Sequence, residues 1–269
     1  MRSAFLCIPL LAASLIAQES SQQPAETPAE QPAPSKVSGQ LHGSSTGGPT
    51  AQVDPKLLRP SKDKTPSAQN YPTQYLLFVA EAMKSFQARD FQGALSYVEK
   101  ADALVPPTVW TLNVRGAVAI EQLKFDEGKK HCVDALKMEP NFFPAKFNLC
   151  EIPFLQGNYT EARDGWVILY NQIAQDDPTG ELLIYRIFLT CLLEKDMDKA
   201  KGWLDKLPFP SQTPAYQYAH AAWERQQGNQ KKWEEWIQSA EFIWPQVKRA
   251  NFVDVLLQLK WLQSSEFGK

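Results

Sequence analysis

The side chains that could perform chemistry are few, and their spacing does not suit catalysis. The sequence contains three histidines, His42, His131 and His220. His131 directly precedes Cys132, and a thiol with a neighbouring imidazole is one of the pairs used in nucleophilic catalysis. On a helix, however, consecutive side chains point about 100° apart and do not face each other. We therefore expect His131 and His220 to be ordinary helix residues.

The cysteines form no pattern typical of a metal site or a disulfide framework. Cys7 lies in an apolar leader, which leaves Cys132, Cys150 and Cys191 in the rest of the chain. An odd number does not describe a set of disulfides, and the spacings lack the tight pairs of zinc sites. We expect these three residues to act as small buried apolar side chains.

Other catalytic motifs are also missing from the sequence. It contains no Gly-rich phosphate loop, no HExxH zinc motif and no GxSxG nucleophile motif. The acidic pairs at 176–177 and 234–235 are typical of loops and solvated helix faces. The formal net charge of -2 provides no basic field for nucleic acid. The sequence thus predicts no catalytic residue, no metal site, no cofactor and no nucleic-acid partner.

The first seventeen residues have the pattern of a signal peptide. Arg2 supplies a positive start, residues 4–17 are apolar and uncharged, and small residues near Ala17 offer a cleavage point. An N-terminal membrane anchor is the alternative, but the stretch is shorter than the roughly 20 residues of a membrane span. We expect an exported protein, periplasmic or secreted, without a transmembrane segment after cleavage.

Residues 18–70 are rich in Pro, Gln and Ser, and no Phe, Tyr or Trp occurs between 18 and 66. Such a stretch has too little apolar surface to offset the entropy lost on ordering. It is predicted to be a disordered linker. A passive spacer is favoured over a ligand segment for another domain, because the prolines form no repeated basic PxxP motif.

An internal repeat begins at residue 71 and predicts the fold. Phe91, Phe125 and Tyr159 are each 34 residues apart, and each is followed by an Ala-containing helical pattern. Weaker copies follow near Asp196 and Gly228. Upstream stretches carry small residues that would let two helices approach closely, at Ala82, Gly116, Cys150 and Ala221. Proline tends to follow the second helix of each unit, where it stops the helix.

This pattern resembles the tetratricopeptide repeat, a helix-turn-helix unit of 34 residues. The resemblance is strongest over Leu112–Pro140 and covers residues 71–246. It implies an all-α fold, a right-handed α-solenoid of about five units, followed by a C-terminal helix and tail at 247–269. Phe188 and Trp233 stand where a small residue is usual, and an insertion is predicted at 176–180.

The resemblance also implies a binding groove, because the first helix of each unit lines the concave face of such arrays. The groove candidates are Trp110, Asn113, Glu121, Phe147, Asn148, Phe154, Tyr185, Arg186, Tyr218 and Arg225. Aromatic rings with a few polar groups suit peptide capture. The alternative for each aromatic is a place in the core between repeats. Family members that bind a C-terminal carboxylate use a repeated Lys/Asn set, and Val79, Met83, Asn113 and Ala117 do not reproduce it.

The last helix, predicted over Arg249–Gln263, carries two apolar stripes. One contains Phe252, Val255, Leu256 and Leu259, and it can pack on the fifth unit. The other contains Val253, Leu257 and Trp261 and is expected to point away from that unit. A terminal helix should be polar on its outer face. The second stripe therefore predicts a self-association or partner-docking face, unless the chain end around Phe267 folds over it.

Three functions follow from these patterns. The favoured one is a non-catalytic scaffold that binds a protein or peptide in the groove, outside the cytoplasm. The alternative is a structural protein that forms a weak homodimer through its C-terminal helix. An enzyme with an unrecognised site is the least favoured, because the motif search gives it no candidate residues.

Overall fold

The computed structural model describes residues 53–60, 71–174 and 176–262, and every regular element within these ranges is an α-helix. The predicted all-helical repeat fold is confirmed. After a short α1 the helices form consecutive pairs, and a last helix follows them. The bounds are α1 Pro55–Leu58, α2 Thr73–Gln87, α3 Phe91–Asp102, α4 Val109–Glu121, α5 Phe125–Met138, α6 Phe143–Leu155, α7 Tyr159–Tyr170, α8 Thr179–Leu193, α9 Met197–Leu204, α10 Ala215–Gln226, α11 Gln230–Ile243 and α12 Gln246–Gln258.

The turn inside each helix pair has the same backbone geometry. Two residues after the first helix of every pair, one residue adopts a left-handed conformation: Arg89, Leu123, Gly157, Lys195 and Gly228. The amide of the next residue then donates to the carbonyl five positions earlier, at 2.8 to 3.0 Å. This closure satisfies carbonyls that the helix end would otherwise leave unpaired. The same turn thus closes all five helix pairs of the described residues.

Small side chains bring the two helices of a pair together, as predicted for Gly116. A Cβ atom added to Gly116 on α4 would lie 2.9 Å from Cys132 Sγ, and one added to Gly128 on α5 would lie 2.5 Å from Ile120 Cγ1. The cysteines Cys132, Cys150 and Cys191 are buried and free, which confirms their predicted packing role. Burial raises the pKa of the Cys132 thiol to about 12.

The fourth and fifth pairs keep the helix-turn-helix geometry although their sequences depart from the repeat pattern. Phe188 is fully buried in α8, and Trp233 of the fifth pair is also buried. The left-handed residues Gly157 and Lys195 are 38 positions apart rather than 34, and the extra residues lie between α7 and α8. Asp177 accepts a hydrogen bond from the amide of Thr179 at 2.8 Å, where α8 begins.

Residues 53–60 are ordered against the repeats, although the sequence predicts disorder throughout 18–70. Leu58 is buried and would lie 3.1 Å from a Cβ atom on Gly165 of α7. The Val53 amide donates to Glu161 at 2.9 Å, and Gln172 donates to the Leu58 carbonyl at 2.9 Å. For this segment the prediction is wrong, because two apolar side chains, Val53 and Leu58, find a complementary surface far along the chain.

The predicted signal peptide and the rest of the predicted linker lie outside the described residues. Among the helices that are described, none is both long enough and apolar enough to cross a membrane.

Candidate functional site

The first helices of the later pairs meet α12, and this contact defines the candidate site. We call the side of these helices that α12 covers the inner face. It is represented by Glu121 of α4, Glu151 of α6, Tyr185 of α8 and Tyr218 of α10. The inner face has an aromatic end near the fifth pair and a charged end near the first.

Phe252 of α12 forms the aromatic part of this contact. Its ring lies 5.5 Å from that of Tyr185 and 6.4 Å from that of Tyr218, almost parallel to the latter. The Tyr185 hydroxyl donates to the Phe252 carbonyl at 3.1 Å. Burial raises the pKa of Tyr185 far above its ordinary value, so this hydroxyl remains a donor. The two tyrosines therefore hold one aromatic side chain and one backbone carbonyl of α12.

The chain beyond α12 continues the aromatic contact. The ring of Trp261 meets the ring of Trp233 edge to face, with centroids 6.4 Å apart. The Arg225 guanidinium lies over both rings, 5.1 Å from Trp233 and 5.6 Å from Trp261. A cation over an aromatic face is attracted by the ring quadrupole. This arrangement fixes the end of α12 on the fifth pair.

Asp254 forms the charged part of the contact, toward the first three pairs. Asp254 and Asn251 of α12 line a small cavity together with Phe86, Arg89 and Glu121 of the repeats. Arg89 Nη2 lies 3.2 Å from Glu121 Oε2, so an ion pair closes one wall of the cavity. The helix α12 thus reaches from the fifth pair to the end of the first.

Buried carboxyl groups on the inner face have raised pKa values. Burial raises the pKa of Glu121 to about 9; Arg89 opposes this shift and Asp254 adds to it. Burial likewise raises the pKa of Glu151 to about 7, against the effect of Arg186 and with that of Asp254. Removal from water disfavours the charged carboxylate. Burial of the inner face therefore works against the ionised form of both carboxyl groups, whereas the neighbouring arginines favour it.

Arg186 is fully buried at the centre of this network. Its Nε atom lies 3.3 Å from Oε1 of Glu151, which is also fully buried. The guanidinium lies 5.9 to 6.0 Å from the ring centroids of Phe147, Phe154 and Trp166. A buried ion pair is costly to break, because the remaining charge loses its partner in a low-dielectric surrounding. Arg186 thus links α8 to α6 and α7.

Asn113 and Asn148 form a second polar contact between neighbouring first helices. Asn148 Nδ2 donates to Asn113 Oδ1 at 3.0 Å, and both residues are fully buried. Asn113 Nδ2 and Asn148 Oδ1 have no further hydrogen-bond partner in the described part of the chain. This pair fixes the register between α4 and α6.

Most of the predicted groove residues are enclosed rather than open. Two of them, Trp110 and Arg225, are half-buried, and Trp110 packs edge to face on Phe142 at 4.9 Å. Tyr185 and Tyr218 are brought together under α12, whereas Phe147 and Phe154 pack around Arg186. The buried members are Asn113, Glu121, Phe147, Asn148, Phe154, Tyr185, Arg186 and Tyr218. Their use by a partner stays a prediction.

The second stripe of the last helix does not lie where its sequence predicts. Val253 is fully buried, and Leu257 and Trp261 are half-buried. The expectation that this stripe points away from the repeats is wrong for Val253, because α12 packs across the first helices instead of capping the fifth pair from outside. Self-association through these residues stays a prediction.

The sequence predicted no site role for Arg89, Glu151 or Asp254. It predicted that Phe252 packs on the fifth unit, but not that it lies on the inner face. A signal for the burial of this face exists in α6 and α8, whose sequences FPAKFNLCEIPFL and TGELLIYRIFLTCLL carry apolar residues on every side, interrupted by only a few polar ones. A helix that is apolar all round is buried all round. This pattern indicates that another element covers the inner face.

Burial shifts the pKa values of the cysteines and histidines on the described helices. Burial raises the pKa of the Cys150 thiol well above its ordinary value and also raises that of Cys191. Burial lowers the pKa of His131 and of His220, and His220 stacks on Trp236 at 4.9 Å. Within the described ranges no group of three or more His, Cys, Asp or Glu could hold a metal ion.

Comparison with known proteins yields distant structural similarity only. No protein-family model and no curated protein sequence matches the chain. A tetratricopeptide repeat protein from Parabacteroides merdae is 15% identical, with a TM-score of 0.43 over 70% of this chain and 75% of that one. A mutant of MamA is 13% identical, with a TM-score of 0.40 over 63% of this chain and 97% of that one. A second MamA structure is 14% identical, with a TM-score of 0.39, and covers 64% and 99%.

These identities and TM-scores are too low to support assigning the function or the partners of these proteins to this chain. The all-helical repeat fold stands on the helix pairs and turns of the chain itself.

Proposed function

We propose that this chain is a non-catalytic scaffold that binds a segment of another protein on its inner face. The observation that carries the proposal is the position of α12 across the first helices. Aromatic side chains hold Phe252 at one end of this face, and Asp254 lies among charged groups at the other. Aromatic anchors beside a few charged groups are typical of surfaces that bind helices in grooves.

The proposed location is outside the cytoplasm, in the periplasm or the extracellular space. The support is the N-terminal pattern of Arg2 and the apolar residues 4–17. The chain would then be exported and bind a partner of the cell envelope or the surroundings.

Affinity capture with the full-length tagged chain, after cross-linking in the native host, tests the scaffold function. The variants Trp110→Ala and Arg225→Ala change half-buried groove candidates. Phe242→Ala is the matched control, since Phe242 is 93% exposed on α11 and outside the described inner-face contacts. We expect the same protein to be captured by the wild type and by the control, and to be lost from both groove variants.

Equal capture by all four chains would contradict binding at the inner face. Loss of the captured protein in Phe242→Ala alone would indicate that the partner binds at the edge of the fifth pair. Failure to capture any protein above a tag-only control would contradict the scaffold function itself.

A further inference from the structure

The chain docks its own segment 53–60 on the third helix pair. The Leu58 side chain packs beside Gly165 of α7, where an added Cβ atom would lie 3.1 Å from Leu58 Cδ1. The Val53 amide donates to Glu161 of α7 at 2.9 Å. The third pair thus binds a short chain segment through a recess for one side chain and a carboxylate for one backbone amide.

The second helix pair borders a cleft at the equivalent place. Glu127 and His131 of α5 stand 34 positions before Glu161 and Gly165, and both line this cleft. The volume of the cleft is about 230 Å³, whereas a cavity needs only roughly 10–15 Å³ to hold one water. The cleft therefore has room for a stretch of peptide, at the position where the third pair binds one.

The walls of the cleft are more polar than the equivalent part of the third pair. Glu99 of α3, Arg115 of α4 and Lys124 line it together with Glu127. Arg115 forms an ion pair with Asp102, so Glu99 and Lys124 are the further charged groups that an occupant meets. Hydrogen bonds to charged groups are stronger than those between neutral ones. The residues 34 positions after Glu99, Arg115 and Lys124 are Val133, Leu149 and Asn158, none of which is charged.

His131 determines which side chain the cleft accepts beside α5. Its imidazole lines the cleft at the position where Gly165 leaves room for Leu58 in the third pair. A Cβ atom added to Gly116 would lie 3.4 Å from His131 Cβ, so His131 stands at the close crossing of α4 and α5. A leucine at this point would overpack the site. Residues 53–60 of a second copy therefore fit poorly, and a segment with a small side chain fits.

We infer that the cleft between the first and second pairs binds a short polar segment of a partner protein, in the way in which the third pair binds residues 53–60. A backbone amide of the partner donates to Glu127, a small side chain lies beside His131, and an acidic side chain reaches Lys124. None of the cleft residues takes part in the inner-face contacts described above. The cleft is thus a second binding site, and it goes beyond the proposed scaffold function.

Fluorophore-labelled peptides based on residues 51–60 probe the cleft, and fluorescence anisotropy measures their binding to the full-length chain. One peptide has the natural sequence and the other carries Leu58→Ala. We expect the wild-type chain to bind the Leu58→Ala peptide at least about fivefold more tightly, because a leucine overpacks the site beside His131. The chain variant His131→Gly should reverse this preference, since it recreates the recess that Gly165 provides in the third pair.

The carboxylate and the lysine of the cleft are tested with the Leu58→Ala peptide. Glu127→Ala should weaken its binding at least about fivefold, because the peptide amide loses a charged acceptor. Lys124→Ala should weaken it at least about threefold, with a smaller difference at high salt. Glu161→Ala is the matched control, since it removes the equivalent carboxylate from the third pair and should leave binding at the cleft unchanged. Loss of binding in Glu161→Ala alone would show exchange with residues 53–60 and would overturn the inference.

Circular dichroism establishes first that each variant is folded. If His131→Gly does not fold, His131→Ala replaces it, because it also removes the imidazole and retains a good helix former. The inference is overturned if no folded chain binds either peptide, or if binding is indifferent to both His131 and Glu127. Peptide binding that dissociates a dimer in sedimentation experiments would assign the cleft to a second copy and overturn the separate partner.

This site and the proposed scaffold function fail independently. Trp110→Ala and Arg225→Ala lie outside the cleft and should leave peptide binding unchanged. Capture of a protein that depends on these two residues, without peptide binding at the cleft, supports the scaffold function and overturns the inference. Peptide binding that depends on Glu127 and His131, without any captured protein, supports the cleft and contradicts the scaffold function.

Discussion

The substitution Gly116→Leu tests the helix crossing that defines the repeat. A Cβ atom at this position would lie 2.9 Å from Cys132 Sγ and 3.3 Å from the Gly128 carbonyl oxygen. The carbonyl belongs to the backbone of α5 and cannot rotate away, so a leucine must push the two helices apart. Overpacking of this kind costs typically about 1–3 kcal/mol. We expect a cost near the upper end of this range because the obstacle is backbone.

This cost converts to a fall in melting temperature of roughly 6–12 °C, at about 2–4 °C per kcal/mol for a domain of this size. Thermal unfolding followed by far-ultraviolet circular dichroism measures it. Gly202→Ala on α9 is the matched control, since a Cβ atom there meets nothing within 4 Å. A Gly→Ala change within a helix should stabilise by up to about 1 kcal/mol. An unchanged melting temperature for Gly116→Leu would refute the crossing of α4 and α5 at this glycine.

Further predictions concern pH dependence, the docked segment and export. Burial raises the pKa of Glu121 to about 9, so the folded chain still holds a proton at pH values where the unfolded chain has released it. The free energy of unfolding therefore falls as the pH rises from about 4.5 to 9. Urea unfolding of Glu121→Gln should show a flatter decline with pH, and a decline identical to that of the wild type would contradict the raised pKa. Leu58→Asp should release residues 53–60, because burying a leucine is worth roughly 1.5–3 kcal/mol. Trypsin should then cleave after Lys56 faster than in the wild type, and equal rates would argue against docking. Intact-mass spectrometry should find a mature chain that starts near Gln18, whereas a cytoplasmic product that retains Met1 would contradict export.

The helix pairs could be predicted from the sequence because their contacts are local. The regular spacing of Phe91, Phe125 and Tyr159 marks three turns, and Gly116 marks a close helix crossing within one unit. Each of these features depends on residues within one repeat or in the next one along the chain. The turns themselves were harder to see, since Arg89 and Leu123 adopt the left-handed conformation that glycine usually marks.

The candidate site depends on contacts that no local pattern specifies. The Tyr185 hydroxyl reaches the carbonyl of Phe252, 67 positions later, and the Val53 amide reaches Glu161, 108 positions later. From the sequence, one apolar stripe of the last helix is expected to pack on the fifth unit and the other to point away from it. The sequence therefore determined the repeats, whose stability comes from neighbouring segments. Only the tertiary structure decided that the chain's own last helix covers the inner face, because the direction of α12 depends on the summed packing of distant repeats.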